Sequence, residues 1–313
     1  MLIVAIIIGL NGCGRQNSGK SRVIIFHAGS LSAPFKKIAG EYMKLNPGVT
    51  VQLEAAGSVE CARKITELKK PCDIMASADY FIIDEMLIPE YASWNVKFAS
   101  NSMVIAYTGK SRKGDIISSE NWIEILLDED IIYGRSDPDS DPCGYRTIMT
   151  LKLAEKYYER PGITQSFIVK DKNMLRPKEV DLLALLESNS IDYIFIYKSV
   201  ALQHDLEWIE LPREINLSDS ILEEHYNSVS VEITGSKPGE LIQVKGSTMV
   251  YGVTLLDNAP GRDKAIDFMK FLLGEPGLKI MKEMGQEMNT LPATRSLAEL
   301  PAELFSLCIE EHY

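Results

Sequence analysis

Val23-Ile24-Ile25-Phe26-His27-Ala28-Gly29-Ser30-Leu31 is the stretch whose reading decides the fold. Val23–Phe26 is apolar and β-branched without alternation, as in a strand buried on both faces of a parallel sheet. From Leu31 the period changes. Leu31, Phe35, Ile38, Tyr42 and Leu45 recur every three or four residues, which is the stripe of an amphipathic helix, and Asn46-Pro47-Gly48 ends it. The same order then repeats. Val49, Val51 and Leu53 alternate as a strand, and Val59, Ala62, Ile65 and Leu68 mark a second helix. Asp73–Ala76 reads as a third strand, with Asp79 placed to cap the helix that follows. Strand–helix–strand repetition of this kind implies an α/β fold with a mainly parallel sheet.

Outward from that core, Met103–Tyr107 is an apolar strand followed by the polar turn Thr108–Gly114. A second α/β series comes next: strand Ile131–Tyr133, helices Tyr145–Tyr158 and Val180–Glu187, and strand Tyr193–Ile196. Residues 212–247 are polar and turn-rich. Met249–Thr254 is another long strand, and helices over Ala265–Leu273 and Leu278–Met284 follow it. Two long strands bracketing a separate series predict two lobes joined by two crossings. Residues 21–107 with 249–313 are expected in one lobe and 108–248 in the other, with the ligand cleft between them.

The chain has 313 residues, 45% hydrophobic and 25% charged, which suits a folded protein of one or two domains. Its 33 Lys+Arg against 44 Asp+Glu leave a net charge of −11, and no basic block occurs. Nucleic acid is excluded as a partner, because its binding depends on phosphate neutralisation. Net charge governs solubility and steering, however, and says nothing about one particular site.

Residues 1–20 read as a signal and linker. Met1–Leu10 is an apolar run of about half the ~20 residues that a spanning helix needs. Leu10-Asn11-Gly12-Cys13 follows, then a polar stretch, and the pattern resembles the lipobox of prokaryotic lipoproteins, although no Lys or Arg precedes the run. Cys13 is the expected lipidation site, which makes the protein extracytoplasmic and membrane-anchored. Gly14-Arg15-Gln16-Asn17-Ser18-Gly19-Lys20-Ser21 matches the P-loop pattern, the basis of a competing reading as a nucleotide-binding enzyme. A P-loop needs a strand before it and a helix after it, whereas Lys20-Ser21 runs into a strand. That reading is rejected. Of the five cysteines, none forms a C-x-x-C pair, and only four His are present, so zinc is poorly supported. Cys61 and Cys72 are separated by helix, about eight residues at 1.5 Å each, roughly 12 Å and too far for a bridge.

Two glycine–serine pairs stand at matching places. Gly29-Ser30 and Gly57-Ser58 each end a strand and open a helix. Helix starts offer unsatisfied N–H groups to an anion, glycine allows close approach, and a serine hydroxyl adds a donor. The plainer alternative for each serine is an N-cap, yet neither has Glu or Gln three residues later. Asp141-Pro142-Cys143-Gly144 opens a helix in the other lobe, and Arg176-Pro177-Lys178-Glu179 opens a further one.

Five segments, Phe26-His27-Ala28-Gly29-Ser30-Leu31, Glu54-Ala55-Ala56-Gly57-Ser58, Ala76-Ser77-Ala78-Asp79-Tyr80, Asp141-Pro142-Cys143-Gly144-Tyr145-Arg146 and Ile194-Phe195-Ile196-Tyr197-Lys198-Ser199, together resemble the archaeal molybdate/tungstate-binding proteins. Those are extracytoplasmic solute-binding components of ABC transporters. The resemblance implies a two-lobed type II periplasmic-binding-protein fold that closes on molybdate or tungstate. It further implies contacts to the oxyanion from Gly29, Ser30, Ser58, Asp141, Pro142, Cys143, Glu179 and Tyr197. Asp141 and Glu179 would bind the Mo or W atom itself, raising it from four to six oxygen ligands. The implied partners are an ABC permease and, through it, ATPase subunits. No cofactor and no enzymatic activity are implied, and a monomer is expected.

Two carboxylates beside a dianion repel it by several kcal/mol in a partly desolvated site. Bonding to the central atom offsets this, and sulfur or phosphorus cannot expand in that way. Asp141 and Glu179 are therefore expected to select against sulfate and phosphate. Receptors of similar fold for sulfate or ferric iron are the alternatives; site carboxylates are unexpected for sulfate, and iron calls for a tyrosine cluster. His27 reads as structural, and Cys143 as a backbone N–H donor.

Overall fold

The six residues from Val23 to Ala28 are all buried and end the first strand, β1 (Ser21–Ala28). The computed structural model describes residues 21–171, 174–235, 239–286, 288 and 290–311. Cys13, the expected signal and all of the P-loop-like pattern before Ser21 lie outside the described residues. Among the described residues no helix is long and apolar enough to cross a membrane.

After β1, helix α1 (Ser32–Leu45) buries Phe35, Ile38 and Tyr42 on the stripe expected of it. Phe35 and Ile38 each contribute about 1.5–3 kcal/mol by leaving water. Then come β2 (Val49–Ala56), α2 (Ser58–Thr66), β3 (Ile74–Ser77), α3 (Tyr80–Met86) and β4 (Val96–Ser100). The second lobe holds β5 (Met103–Tyr107), β6 (Tyr133–Ser136), β7 (Leu175–Arg176), β8 (Tyr193–Tyr197) and β9 (Glu207–Glu210). A hairpin of β10 (Ser230–Thr234) and β11 (Leu241–Lys245) packs on that lobe's helix Pro142–Tyr157. The chain then returns through β12 (Val250–Leu255) to β13 (Ala293–Thr294) and β14 (Ile309–Glu310). Strand order is β14-β13-β4-β12-β3-β1-β2 in one sheet and β7-β6-β8-β5-β9 in the other.

Both sheets are mixed rather than mainly parallel. β1, β2 and β3 run parallel and end at the other lobe, whereas β12 is antiparallel to β3 and β4. β5 is likewise antiparallel to β8 and β9. The cause is topological, since a strand arriving from the other lobe starts at the edge where its neighbours end. Met103–Tyr107, grouped by the sequence reading with residues 21–107, therefore belongs to the second sheet, and the first crossing falls at Asn101-Ser102. Apolar pattern marks a strand without saying which sheet it joins. The two crossings are laced together: Met103 N–H donates to Asn216 O at 2.9 Å, and Met249 N–H to Leu217 O at 2.8 Å.

Several shorter elements depart from expectation. The strand expected at Ile131–Tyr133 runs over Tyr133–Ser136, where Arg135 and Ser136 are buried despite their polarity. Helix Val180–Glu187 opens as a 3-10 turn over Glu179–Leu182 before Leu183–Glu187. Residues 212–247 contain the β10–β11 hairpin, whose outer positions face solvent and, Leu241 apart, are polar.

Candidate binding site between the lobes

Both glycine–serine pairs sit where strands of the first lobe end, and neither serine caps its helix. Gly29–Leu31 forms a 3-10 turn ahead of α1, and Gly57 is the N-cap of α2, in both cases without a side-chain capping bond. The hydroxyl oxygens are instead acceptors from elsewhere in the fold. Tyr251 Oη donates to Ser30 Oγ at 3.0 Å, and the Ala78 N–H donates to Ser58 Oγ at 3.0 Å. Each serine thereby keeps its own proton for a further acceptor. Gln286 Nε2 donates to Ser30 O at 3.1 Å and holds the turn.

From the second lobe, Asp141 is the N-cap of helix Pro142–Tyr157, with Pro142 in its first turn. Its Oδ1 accepts the Cys143 N–H at 3.4 Å, and its Oδ2 accepts the Glu179 N–H at 3.0 Å. The Cys143 N–H, expected to face a ligand, is thus directed at Asp141. Glu179 turns its carboxylate to the first lobe: a Cβ on Gly29 would stand only 2.9 Å from Oε2 and 3.1 Å from Oε1. Gly57 is tighter still, since a Cβ there would lie 2.1 Å from Ser140 O. Glycine at both positions lets the lobes touch.

All eight expected residues are buried and gather at this junction. Asp141 and Glu179 are both fully buried, and neither Glu179 oxygen has a hydrogen-bond partner of good geometry, although Ser30 and Asp141 are side-chain neighbours. Burial and then the Asp141 charge push the Glu179 carboxyl well above its ordinary range. Burial also raises Asp141, opposed by bonds to Glu179 and Ser136. Burial keeps the Tyr197 phenol protonated and able to donate, against the pull of Arg146. The Cys143 thiol is pushed up by burial and by the two carboxylates, so it is no nucleophile.

Sequence reasoning missed the residues that bind the lobes to each other. Arg146 Nη2 lies 3.0 Å from Asp79 Oδ2, while its Nη1 donates to Ala78 O at 2.7 Å and to Tyr197 Oη at 3.3 Å. Tyr145 Oη donates to Asp79 Oδ2 at 2.7 Å. Asp79 is also the expected cap of α3, accepting the Phe81 N–H at 3.1 Å. Tyr145 and Arg146 stood in a recognised motif, but nothing in it indicated the face across the cleft. His27 is buried and donates from Nδ1 to Ala28 O at 2.8 Å, a structural role as expected.

The chain matches the family described as bacterial extracellular solute-binding protein over residues 23–287. It is 43% identical to the molybdate/tungstate-binding protein WtpA of Pyrococcus abyssi over 98% of this chain and 96% of that one. An uncharacterized solute-binding protein of Petrotoga mobilis is 48% identical over 90% of this chain and 88% of its own. Among solved structures, the periplasmic molybdate-binding protein of Azotobacter vinelandii superposes with a TM-score of 0.63 at 14% identity, covering 86% of this chain and all (100%) of that one. That likeness bears out the two-lobed α/β fold. The resemblance drawn from the five segments holds, and the chain belongs to the extracellular solute-binding protein family, as a relative of its archaeal molybdate/tungstate-binding members.

Proposed function

We propose that this protein captures molybdate or tungstate between its lobes and delivers the oxyanion to an ABC permease, without catalysing a reaction. The carrying observation is the pair Asp141 and Glu179, both fully buried, with the Glu179 oxygens lacking any hydrogen bond of good geometry and turned to Gly29. A buried carboxylate without partners is costly, and a second one beside it adds repulsion. Coordination by both to a hexavalent Mo or W centre relieves each cost, since a hard centre takes additional oxygen ligands. Ser30, Ser58 and Tyr197 then donate to the oxo groups, with Gly29, Pro142 and Cys143 lining the approach. Relatives named for molybdate and tungstate support the ligand class.

Sulfate and phosphate would meet the carboxylates with no such relief. Calorimetry with tungstate, molybdate and sulfate tests the reading on the purified protein. Binding of both metal oxyanions with at least a hundredfold discrimination against sulfate is expected. Asp141→Ala and Glu179→Ala should narrow that discrimination, and equal binding of sulfate by the unaltered protein would overturn the reading. Lipidation at Cys13, anchoring to the cell membrane and a monomeric state complete the proposal. Loss of membrane association on Cys13→Ser checks the anchor.

A further inference from the structure

We propose that Tyr251 is a positioning residue for the oxyanion: its phenol fills the acceptor side of Ser30 and so directs the Ser30 proton at the ligand. The inference rests on the oxyanion reading above and identifies what makes one of its donors effective.

The direction of the Asn101 bonds follows from chemistry. Asn101 Oδ1 accepts two backbone N–H groups, from Ser102 at 3.0 Å and Ser199 at 3.2 Å. Backbone N–H groups only donate, so this fixes the amide with its NH2 on the other side. Asn101 Nδ2 accordingly donates to Ser199 Oγ at 2.7 Å and to Tyr251 Oη at 2.9 Å. The phenol, which also has the Gln286 side chain beside it, donates to Ser30 Oγ at 3.0 Å. Burial holds the phenol protonated. Ser30, with that acceptor position filled, turns its own proton toward the Glu179 side, where the oxyanion is expected.

The relay starts at the crossing between lobes and ends in the site. Asn101 lies between β4 and β5, Ser199 is in the second lobe, and Tyr251 is on the returning strand β12. Ser58 differs, because its acceptor position is filled by the Ala78 backbone, which no side-chain change removes. Ser30 is the serine whose direction depends on a remote side chain.

Calorimetry with tungstate on the full chain, for Tyr251→Phe, Ser30→Ala and the double variant, tests this. Phenylalanine keeps the ring that packs 6.2 Å from Tyr197 and 6.4 Å from Phe98. Tyr251→Phe alone should weaken binding roughly tenfold, as for a lost hydrogen bond to a charged group. On the Ser30→Ala background the same change should cost less than about twofold, because the donor it orients is gone. Unaltered binding by Tyr251→Phe, or an equal loss on both backgrounds, would overturn the proposal and leave the residue a merely structural role. Should Tyr251→Phe not fold, Asn101→Asp gives the second cycle: it still accepts from Ser102 and Ser199 but takes the phenol proton away from Ser30. Its weakening of tungstate binding must then shrink on the Ser30→Ala background; an undiminished loss counts against the relay. Failure of the unaltered protein to bind tungstate or molybdate would instead bring down the oxyanion reading, and this inference with it.

Discussion

Arg146 of one lobe and Asp79 of the other meet at 3.0 Å, with side chains only 1% and 2% exposed. Tyr145 adds a bond to the same carboxylate oxygen, and Arg146 also bonds Ala78 O in the first lobe. The pair therefore spans the line along which a hinge would part the lobes, and both partners lose water on closure. A buried pair is weak evidence of net stability, but removing one partner leaves the other as an uncompensated charge.

Arg146→Ala should accordingly hinder closure more than folding. Leaving Asp79 unpaired in the closed form costs about 3 kcal/mol, on the order of a hundredfold in tungstate affinity. In an open form Asp79 regains water, so the melting temperature without ligand should fall by much less than that figure implies. Calorimetry and thermal melts check both halves, and unchanged affinity would count against an interlobe role.

Gly57→Ala offers a sharper separation of folding from closure. The added methyl meets Ser140 O of the opposite lobe at 2.1 Å, whereas Gly57 keeps an ordinary extended backbone. Ligand affinity should drop at least about fivefold, as overpacking at a tight contact costs roughly 1–3 kcal/mol. The apo protein should melt near the parent temperature. Scattering profiles with and without tungstate would show whether the variant still closes.

His27 makes stability fall in mild acid. Burial lowers its pKa from 6.5 to about 4 in the folded protein, so the unfolded chain binds the proton first as pH drops. The sign is thus a loss of stability from pH 6.5 down to about 4, reaching about 3 kcal/mol, with no contribution above 6.5. His27→Gln should flatten that slope in denaturant titrations, and an unchanged slope would contradict it.

The thiols should be silent in the native protein. Burial pushes Cys61 up to about 12 and Cys143 well above its ordinary value. Alkylation at pH 8 should label neither until denaturant is added. Cys143→Ser should bind tungstate within a few-fold of the parent.

Much of the fold was legible because burial on both faces leaves a strong imprint. β1 and α1 could be read directly, since a short β-branched apolar run favours a buried strand and a sustained three-to-four period an amphipathic helix. β9 and the β10–β11 hairpin escaped notice because they are short and half exposed, and β6 was placed two residues early because it buries the polar Arg135 and Ser136. The eight candidate residues, read as helix starts and motif positions, are all buried at the junction of the lobes. Their partners were not found, because Asp79 carries the ordinary signature of a cap and Tyr251 that of a core aromatic.

By itself the sequence determined the strand–helix alternation that opens the first lobe, the presence of a second α/β series and the helix starts at strand ends. Those are consequences of local period and of helix termini, which neighbouring residues specify. Only the tertiary structure decided that Glu179 faces Gly29, that Arg146 reaches Asp79, and that Tyr251 bonds Ser30 from 221 positions away. The first two relationships exist because two lobes meet, and the third because β12 returns beside β3 in the sheet that holds β1; none of these distances is written in a local pattern.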